Sequence, residues 1–548
     1  MNYYMAFGGT TFGRQVGGPL IITSYDYDVQ INEYGLRSEP KFSLTSKLHE
    51  ILMNAADIIL SVESLPLPKA VPLEGSNSCE SHTYTCADCD YGSKSKSKSE
   101  SGSCIVFLSN YGVSSECNFL SNSNANTEPE SESESESFYT VPAWSVSILR
   151  GEYTQGQCTN TMELLNTKTS TVSDVDIKVA NYQAPQVVDS VEFSYKKGLK
   201  DPTPYEMSRK DPRKQTISPS PVEQLTLTDD KTDYLWYSVQ IPVDELKQGN
   251  SGSISFVTGI AGGSIGYIYA NGIYIGSTLT KNGHSPVLSM LPIENMTTIE
   301  ATVTSTIDVE LPQSCRHKCQ IDILSMNMGI KNYGPYLELV KTGIISDISW
   351  KSGDSDSNSG IILSPVTHTV GLLGESVDYV GDSSHSTGSD SSTNDIDHDK
   401  LVENVPLQWY TMTFPSPVLS NQSNAQSQSN YALELASTGS TGSGSDSHIM
   451  GKGGVWVNGM MLGRYWNVIG STSITDCDES CLSDQIHWVG AYSPERCTTG
   501  CTIPSQTQYK VPYSLLHSDG KDNILILFEE IGGFPTNIKL NEIVMKEL

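Results

Sequence analysis

Residues 235–242 (LWYSVQIP) recur in outline as residues 408–415 (QWYTMTFP), and this repeat decides the fold. Each copy is followed by an Asn-Gly pair between apolar residues, at 269–276 (YANGIYIG) and at 456–463 (WVNGMMLG). Asn-Gly in that setting is a strong signal for a two-residue hairpin turn, because both central residues of the turn need a positive φ. Each copy is therefore predicted to contain antiparallel strands.

The repeated segments occur in the same order in both copies. A third one follows them, since DIL at 322–324 is matched by NIL at 523–525. The sequence therefore predicts two related β-sandwiches, at 221–350 and 401–548, with jelly-roll topology. The composition agrees, because 45 Gly and 26 Pro among 548 residues, with only 18% charged residues, favour short strands joined by turns. We expect a mainly β chain.

The N-terminal 60 residues show a different pattern. Residues 2–7 (NYYMAF) are predicted as a strand, and a Gly-rich loop follows to Gly35. From Lys41 to Ile59, apolar side chains recur at spacings of three and four, which is typical of an amphipathic helix. A single strand, loop and helix cannot bury its own faces, so we expect this unit to belong to something larger and to be loosely ordered alone.

The charge argues against nucleic-acid and membrane partners, and the composition of four stretches predicts disorder. The formal net charge is −29, so nucleic-acid and membrane partners are not expected, because phosphates and anionic lipids would be repelled. No apolar run approaches the ~20 residues that cross a bilayer. Four stretches rich in small and polar residues cannot bury enough apolar area to fold and are predicted to be disordered: 93–103, 129–137, 352–398 and 421–447.

The chain resembles the C-terminal portion of the plant-type family 35 glycoside hydrolases, the β-galactosidases. The landmarks that carry the resemblance follow the family's order along nearly the whole chain. They are 2–14 (NYYMAFGGTTFGR), 23–28 (TSYDYD), 107–111 (FLSNY), 142–149 (PAWSVSIL), 232–237 (TDYLWY), 456–459 (WVNG), 463–466 (GRYW) and 528–530 (FEE).

The resemblance and the composition together imply a domain organisation. Residues 1–62 would be the last strand, loop and helix of a truncated (β/α)8 catalytic barrel. The rest would comprise a β-domain with low-complexity insertions at 63–170, a linker at 171–220, the first sandwich at 221–350, a low-complexity linker at 351–400, and the second sandwich with a Cys-stapled loop at 401–548.

The family implies retaining hydrolysis of terminal β-D-galactosyl residues by two glutamates, a general acid/base and a nucleophile. Both would lie upstream of the residues present here, so the chain alone is expected to be inactive, its barrel portion being lost or supplied separately. The expected substrate is a galactoside or a cell-wall-type polysaccharide, with no cofactor and no metal. Lectin-like carbohydrate binding by the sandwiches is the alternative function, and a structural remnant without a ligand is a third.

One local motif suggests a catalytic carboxylate in this chain. Residues 29–35 (VQINEYG) resemble the acid/base motif of the family, which makes Glu33 a candidate. The flanking residues 23–28 and 36–41 instead match the loop that follows the last barrel strand. We therefore interpret Glu33 as an exposed loop acid or as a contact behind the pocket.

Tyr4, Tyr25 and Tyr27 are the predicted substrate-binding residues. Tyr4 falls near the end of the predicted strand and the other two lie in the following loop, where barrel enzymes build their active sites. In the family, tyrosines at matching positions line the galactose pocket, and a phenol can both pack on a sugar and hydrogen-bond to it. Packing of the loop against the barrel mouth is the alternative.

A second candidate sugar-binding face lies in the second sandwich. It comprises Trp456, Asn458, Arg464 and Trp466. Aromatic rings can stack on pyranose faces, but buried tryptophans and an Asn-Gly turn are also ordinary parts of a sandwich. The structural interpretation is preferred here.

Twelve cysteines predict a disulfide framework. A hairpin disulfide is expected between Cys315 and Cys319. The plant-type pattern implies two further disulfides with open connectivity among Cys477, Cys481, Cys497 and Cys501. A zinc knuckle is an alternative for the spacing of Cys79, His82, Cys86 and Cys89, although oxidation of these thiols would prevent it.

The cysteines and two N-glycosylation sequons, at Asn295 and Asn421, indicate a secreted type of chain, yet the first residues do not form a signal peptide. We therefore expect an N-terminal portion to be missing. By family, the expected location is extracellular, in the cell wall, or vacuolar or lysosomal.

Overall fold

The computed structural model shows a mainly β chain, as predicted from the sequence. The described residues are 5–14, 17–18, 22–26, 29–38, 41–61, 68–73, 78–89, 91, 102–112, 115–120, 138–154, 157–167, 186–207, 211–247, 249–259, 265–278, 302–331, 341–353, 360–376, 406–416, 430–435, 450–468, 504, 506–517, 519–535 and 538–544.

A loop, two helices and a β-domain make up the first third of the chain. The helices are α1 (Lys41–Asn54) and α2 (Ala56–Ile59). The strands are β1 (Gly17–Gly18), β2 (Val71–Pro72), β3 (Cys79–Cys86), β4 (Gly102–Asn110), β5 (Cys117–Leu120), β6 (Phe138–Val141), β7 (Ser145–Thr154) and β8 (Gln157–Asn166). Five of these strands form one sheet in the order β2-β3-β4-β7-β8, and β5 and β6 form a separate hairpin.

The helices α1 and α2 pack together against the sheet of the β-domain. Ile51, Ala55 and Ile58 are fully buried among Ile105 of β4 and Ile148 of β7. Ile51 and Ala55 belong to the apolar stripe predicted from the sequence, and Ile58 does not. The helices thus have a partner within this chain that the sequence pattern did not reveal, because the covering strands follow them only after intervening loops.

Nearly all of the remaining elements build the two sandwiches, while the short strand Ile330–Lys331 instead pairs in parallel with β1. In chain order they are β9 (Gln186–Glu192), β10 (Ser194–Lys200), α3 (Pro204–Met207), β11 (Gln215–Ser218), α4 (Gln224–Thr228), β12 (Tyr234–Ile241), α5 (Val243–Leu246), β13 (Ser251–Gly259), β14 (Ile265–Ala270), β15 (Ile273–Ser277), β16 (Thr302–Glu310), β17 (Cys319–Met326), β18 (Ile330–Lys331), β19 (Ser349–Ser352), β20 (Ile361–Ile362), β21 (Val366–Val370), α6 (Leu373–Ser376), β22 (Gln408–Phe414), β23 (Asn430–Glu434), β24 (Lys452–Val457), β25 (Met460–Trp466), β26 (Gln508–Val511), β27 (Asn523–Glu529) and β28 (Lys539–Val544). Two 3-10 turns lie at Gln313–Cys315 and Tyr513–Leu515.

Each sandwich consists of an inner and an outer sheet. In the first sandwich the inner sheet has the order β11-β21-β12-β17-β14-β15 and the outer sheet the order β16-β13-β19-β20. In the second, the inner sheet has the order β10-β22-β27-β24-β25 and the outer sheet the order β26-β23-β28-β9. Separate apolar cores fill the two sandwiches, the first around Tyr237, Phe256 and Trp350 and the second around Tyr431 and Tyr465.

The two inner sheets pack back to back, which gives four layers in the order outer, inner, inner, outer. Trp236 and Tyr267 from the first sandwich share this third core with Trp409, Ile526 and Phe528 from the second. The central inner strands, such as β12, β14, β17 and β27, are therefore buried on both faces. This explains why their sequences are almost continuously apolar rather than alternating.

The repeat predicted from the sequence is present as a repeated strand order. Strands β12-β17-β14-β15 of the first inner sheet correspond to β22-β27-β24-β25 of the second. Asn271 and Asn458, at the two Asn-Gly turns, have φ values of 47° and 48°. Gly272 and Gly459 follow with φ values of 81° and 83°, so both turns have the conformation that Asn-Gly favours.

The segments predicted to be linkers contribute strands to the sandwiches. Within 171–220, β9 and β10 are edge strands of the two sheets of the second sandwich, and β11 is an edge strand of the first. Within 351–400, β20 and β21 belong to the first sandwich. The prediction missed these strands because such short strands carry little apolar periodicity. In the parts of the chain that the structure describes, no helix is long and apolar enough to span a bilayer.

Candidate functional site

The N-terminal loop carries the residues that the sequence placed at a galactose pocket. Its two arms are joined by bridges between Phe7 and Ile31 and between Thr10 and Ser24. At Gly8 an added Cβ would lie 1.6 Å from the carbonyl oxygen of Tyr25, so no other residue permits this close approach. The loop is thus folded on itself rather than extended.

Side chains of the second sandwich hold this loop in place. Gln506 accepts a hydrogen bond from the Ser24 amide (3.3 Å) and donates one to the Thr23 hydroxyl (2.6 Å). The side-chain amide of Asn430 donates to the Tyr34 carbonyl oxygen (3.0 Å). These contacts tie the middle of the loop to the segment before β26 and its C-terminal end to β23.

Glu33 is buried, with 5% of its surface exposed, so the expectation of an exposed loop acid is wrong. Its carboxylate accepts a hydrogen bond of 2.6 Å from the Thr10 hydroxyl, and its carbonyl oxygen accepts one of 2.6 Å from Lys510. Burial raises the pKa of Glu33, whereas the Thr10 hydrogen bond and the Lys510 charge act in the opposite direction. The hydrogen bond from Lys510 joins this part of the loop to the second sandwich.

A cluster of four charged residues, here called the ionic bridge, connects the loop with both sandwiches. It consists of Arg14, Asp230, Asp233 and Arg464. Arg14 Nη1 lies 3.0 Å from Asp230 Oδ1 and 3.3 Å from Asp233 Oδ1. Arg464 Nη2 lies 2.6 Å from Asp233 Oδ2, and it also donates to the Arg14 carbonyl oxygen at 2.7 Å.

Asp233 is the central member of the ionic bridge. It directly precedes β12 of the first sandwich, while Arg464 lies on β25 of the second. Burial raises the pKa of Asp233, and the guanidinium charges of Arg464 and Arg14 oppose that rise. The bridge holds three parts of the chain at one buried point, so it can fix the position of the loop relative to the sandwiches.

Of the three predicted substrate-binding tyrosines, the structure describes Tyr25. It is half-buried, and its amide donates a hydrogen bond of 3.0 Å to the Gly9 carbonyl oxygen. Tyr4 and Tyr27 lie outside the described residues. So do the predicted sequons at Asn295 and Asn421 and the predicted disulfide cysteines Cys477, Cys481, Cys497 and Cys501.

The residues of the second candidate sugar-binding face mostly contact other parts of the protein. Trp466 is 5% exposed, and its ring lies 5.2 Å from Lys452 Nζ. Trp456 is half-buried, with its ring centre 5.6 Å from that of Trp409. Asn458 donates a hydrogen bond of 2.7 Å to the Leu515 carbonyl oxygen. With Arg464 in the ionic bridge, these residues serve the packing of the sandwich.

A buried ion pair between the inner sheets was not anticipated from the sequence. Lys452 contacts Glu530, and both side chains are buried. The Tyr234 hydroxyl donates a hydrogen bond of 2.8 Å to Glu530 Oε1. Burial lowers the pKa of Lys452, and the carboxylate of Glu530 opposes this effect. The available sequence signal is a lysine within the apolar run 450–457 (MGKGGVWV).

Four disulfides are formed among the described cysteines. The expected hairpin disulfide joins Cys315 and Cys319. The others are Cys79–Cys117, Cys86–Cys89 and Cys104–Cys158. Because Cys79, Cys86 and Cys89 are oxidised, the zinc-knuckle alternative lacks its thiolate ligands.

Comparison with known proteins shows which protein families this chain resembles. Residues 1–52 match the family described as "Glycosyl hydrolases family 35", and residues 446–523 match the "Beta-galactosidase, galactose-binding domain". The resemblance to plant-type family 35 glycoside hydrolases is confirmed.

Individual relatives extend the similarity to nearly the whole chain. The chain is 32% identical to "Beta-galactosidase 8" of Arabidopsis thaliana, over 98% of this chain and 51% of that protein. It is 29% identical to "Probable beta-galactosidase 2" of Dictyostelium discoideum, over 98% of this chain and 59% of that protein. The chain thus spans about half the length of the curated relatives it matches.

Proposed function

We propose that this chain is the C-terminal part of a β-galactosidase-type glycoside hydrolase. The whole enzyme would release terminal β-D-galactosyl residues, with retention of configuration, from galactosides or cell-wall-type polysaccharides. The observation that carries the proposal is the similarity to proteins named β-galactosidases along 98% of the chain.

In this proposal, residues 1–62 complete a (β/α)8 catalytic barrel as its last strand, loop and helix. The match of residues 1–52 to the glycosyl hydrolase family supports this placement, as does the observed loop followed by α1. The two sandwiches are proposed to be of the jelly-roll, galactose-binding-like type. Their two-sheet construction and repeated strand order support that assignment.

The chemistry would be divided between this chain and the rest of the barrel. Retaining glycosidases need two carboxyl groups about 5 Å apart that flank the scissile bond. We propose that both belong to barrel strands outside this chain, and that Tyr4, Tyr25 and Tyr27 contact the galactose. Glu33 would support the loop, which agrees with its burial and its hydrogen bond with Thr10.

The sandwiches would act by positioning the loop. The ionic bridge and the hydrogen bonds of Gln506 fix the loop on the second sandwich before any sugar binds. Because the loop is already ordered, binding does not incur the entropic cost of ordering it, and the affinity is higher. The proposed location is extracellular, in the cell wall, or vacuolar or lysosomal, and the four disulfides suit such an oxidising compartment.

A chimaeric enzyme tests the proposal. The portion of Arabidopsis "Beta-galactosidase 8" that precedes its match to this chain is fused to residues 1–548. Hydrolysis of 4-nitrophenyl β-D-galactoside is then measured for the chimaera and for this chain alone. We expect activity from the chimaera only. The Tyr27→Phe variant should lose about tenfold in kcat/KM, as expected for one lost hydrogen bond.

Two control variants make the outcome specific. Glu33→Gln and Tyr513→Phe should leave kcat within twofold of the unsubstituted chimaera. If this chain alone hydrolysed the substrate and Glu33→Gln abolished that activity, Glu33 would be a catalytic carboxylate. The proposal that both catalytic carboxyl groups lie outside this chain would then be wrong.

Lectin-like binding is the second candidate function, and the match of residues 446–523 to a galactose-binding domain favours it. Calorimetric titration of this chain with galactose tests it. Heat that exceeds the buffer control and is lost in Trp456→Ala would support the idea. Heat equal to that of buffer would remove it.

A further inference from the structure

A disulfide closes a small ring at the end of strand β3, between Cys86 and Cys89. Cys86 is the last residue of β3, and an exposed turn of Ala87 and Asp88 leads from it to Cys89. The two cysteines are 3 residues apart, whereas the three other disulfides among the described cysteines have separations of 4, 38 and 54 residues. The bond therefore joins two neighbouring parts of one surface turn.

The fold holds β3 in place without this bond. Strand β3 pairs with β4 along its whole length, up to Cys86 opposite Ser103. The Ser61 hydroxyl, just after α2, also donates a hydrogen bond of 2.7 Å to the Thr85 carbonyl oxygen. The entropic contribution of a disulfide grows with the loop that it closes, so a ring this small contributes least. We therefore expect β3 to stay paired when the bond is reduced.

The surroundings of both sulfurs also suit the reduced form. Cys86 faces the helices and packs in the same apolar core as Ile58 and Ile105, where a free thiol behaves as a small apolar group. Cys89 Sγ lies 3.5 Å from the Asp57 carbonyl oxygen of α2. A disulfide sulfur has no hydrogen to donate, whereas a thiol at this place can donate a weak hydrogen bond. The dithiol thus gains a contact that the disulfide lacks.

Exposure distinguishes this ring from the hairpin disulfide of the first sandwich. Cys89 is half-buried beside the exposed turn, while Cys86 is 6% exposed. Because an attacking thiolate must reach one of the two sulfurs, we expect it to attack Cys89. Cys315 and Cys319 are 2% and 0% exposed, although their separation of 4 residues is nearly the same. That pair is therefore a comparison in which the ring is small but shielded from solvent.

The disulfide Cys104–Cys158 differs because it links separate strands of the sheet. Cys158 of β8 is half-buried as well, but Cys104 of β4 is fully buried. The bond passes beside Gly151 of β7, where an added Cβ would lie 3.0 Å from both sulfurs. It spans 54 residues, so its loss lowers stability more than the loss of a small ring. Opening of Cys86–Cys89 thus disturbs the β-domain less.

We propose that Cys86–Cys89 is a thiol–disulfide exchange site for a small thiol of the glutathione class. The thiolate of one small thiol attacks Cys89 Sγ, the Cys86–Cys89 bond breaks, and Cys86 leaves with the electron pair and takes up a proton. A second small thiolate then attacks the small-molecule sulfur of the mixed disulfide and releases Cys89 as a thiol. Two small thiols are oxidised to their disulfide, and the two cysteines are reduced. The proposal does not depend on the proposed hydrolase activity.

Differential alkylation of the whole, folded chain tests the site. The chain is incubated with about 5 mM reduced glutathione at neutral pH, and free thiols are trapped at intervals with iodoacetamide. Peptide mass spectrometry then measures the labelled fraction of each cysteine. We expect Cys86 and Cys89 to be labelled about tenfold faster than Cys315 and Cys319, because only the first ring exposes a sulfur. A transient glutathione adduct should occur on Cys89.

Two single variants form a matched pair of controls. Oxidised glutathione should modify Cys89 readily in Cys86→Ser, whereas Cys86 should resist modification in Cys89→Ser, because Cys86 is buried. Circular dichroism should show that the reduced chain stays folded. The proposal is overturned if Cys86 and Cys89 stay protected as long as Cys315 and Cys319. It is equally overturned if they are labelled only when the chain unfolds.

Discussion

The carboxylate of Asp233 lies 2.6 Å from the guanidinium group of Arg464, although 231 residues separate them and each belongs to a different sandwich. Both side chains are buried, and Arg14 of the N-terminal loop contacts the same carboxylate. Burial makes such a pair costly to break, because removing one partner leaves the other charged and desolvated. The relative position of three parts of the chain therefore depends on one aspartate.

Asp233→Asn should lower the free energy of unfolding by about 3–5 kcal/mol, because the buried Arg464 loses its counter-charge. Asp230→Asn is the control, since the side chain of Asp230 is 29% exposed and a pair of that kind contributes about 1 kcal/mol or less. Urea denaturation measures both values. Equal losses in the two variants would mean that Asp233 has no special structural role.

Glu33→Gln should change how stability depends on pH. Burial raises the pKa of Glu33 above its ordinary value near 4.5, so the folded state holds this proton more tightly than the unfolded state does. The resulting stabilisation is complete below the unfolded pKa and is lost as the pH rises through the folded pKa. Compared with Glu33→Gln, the unsubstituted chain should therefore become less stable across that window. Urea midpoints at half-unit pH steps from 3.5 upward measure the difference, and a pH-independent difference would refute it.

The disulfides should differ in their contribution to stability. Cys104–Cys158 closes a separation of 54 residues and Cys315–Cys319 one of 4 residues. From the loop-closure entropy of the unfolded chain, the first should contribute about 4 kcal/mol and the second about 2 kcal/mol. Replacing each pair by serines and comparing denaturation midpoints tests this order. A larger loss for the Cys315 and Cys319 pair would contradict it.

Lys452→Met should destabilise the protein by about 3–5 kcal/mol, because Glu530 then stays buried without its counter-charge. The double variant Lys452→Met with Glu530→Gln should recover most of that loss, since a neutral amide can still accept the hydrogen bond from Tyr234. Free energies of unfolding for both single variants and the double variant form a thermodynamic cycle. Additive losses would show that the two side chains do not interact.

The sequence predicted the parts of the fold that depend on local pattern. The Asn-Gly turns at Asn271 and Asn458 and the apolar strands around Trp236 and Trp409 appear where expected. The apolar stripe of α1 was also predicted, with Ile51 buried. In each case neighbouring residues in the chain carry the signal, through turn conformation or through periodicity.

The candidate site depends on pairings between distant residues, which one sequence does not reveal. Arg14, Asp233 and Arg464 are each ordinary surface residue types, and only their meeting in space makes a buried bridge. The same holds for the disulfide between Cys104 and Cys158, because spacing does not choose among the possible partners. Glu33 was expected as an exposed loop acid, but it is buried and hydrogen-bonded to Thr10, because the way the loop folds back on itself is not visible in the local motif.

Strands β9 and β10 precede the first sandwich in the chain and yet form edges of the second. The chain therefore starts the second sandwich with β9 and β10, then forms the first sandwich, and only afterwards completes the second. During vectorial synthesis on the ribosome, β9 and β10 emerge more than 200 residues before β22 and β28, with which they pair. The first sandwich can fold while the backbone groups of β9 and β10 are still unpaired. Unpaired strand edges of this kind can form hydrogen bonds with strands of other chains and so promote aggregation. A fragment that begins at residue 221 would omit both strands, so excision at the apparent domain boundary would remove one edge from each sheet of the second sandwich.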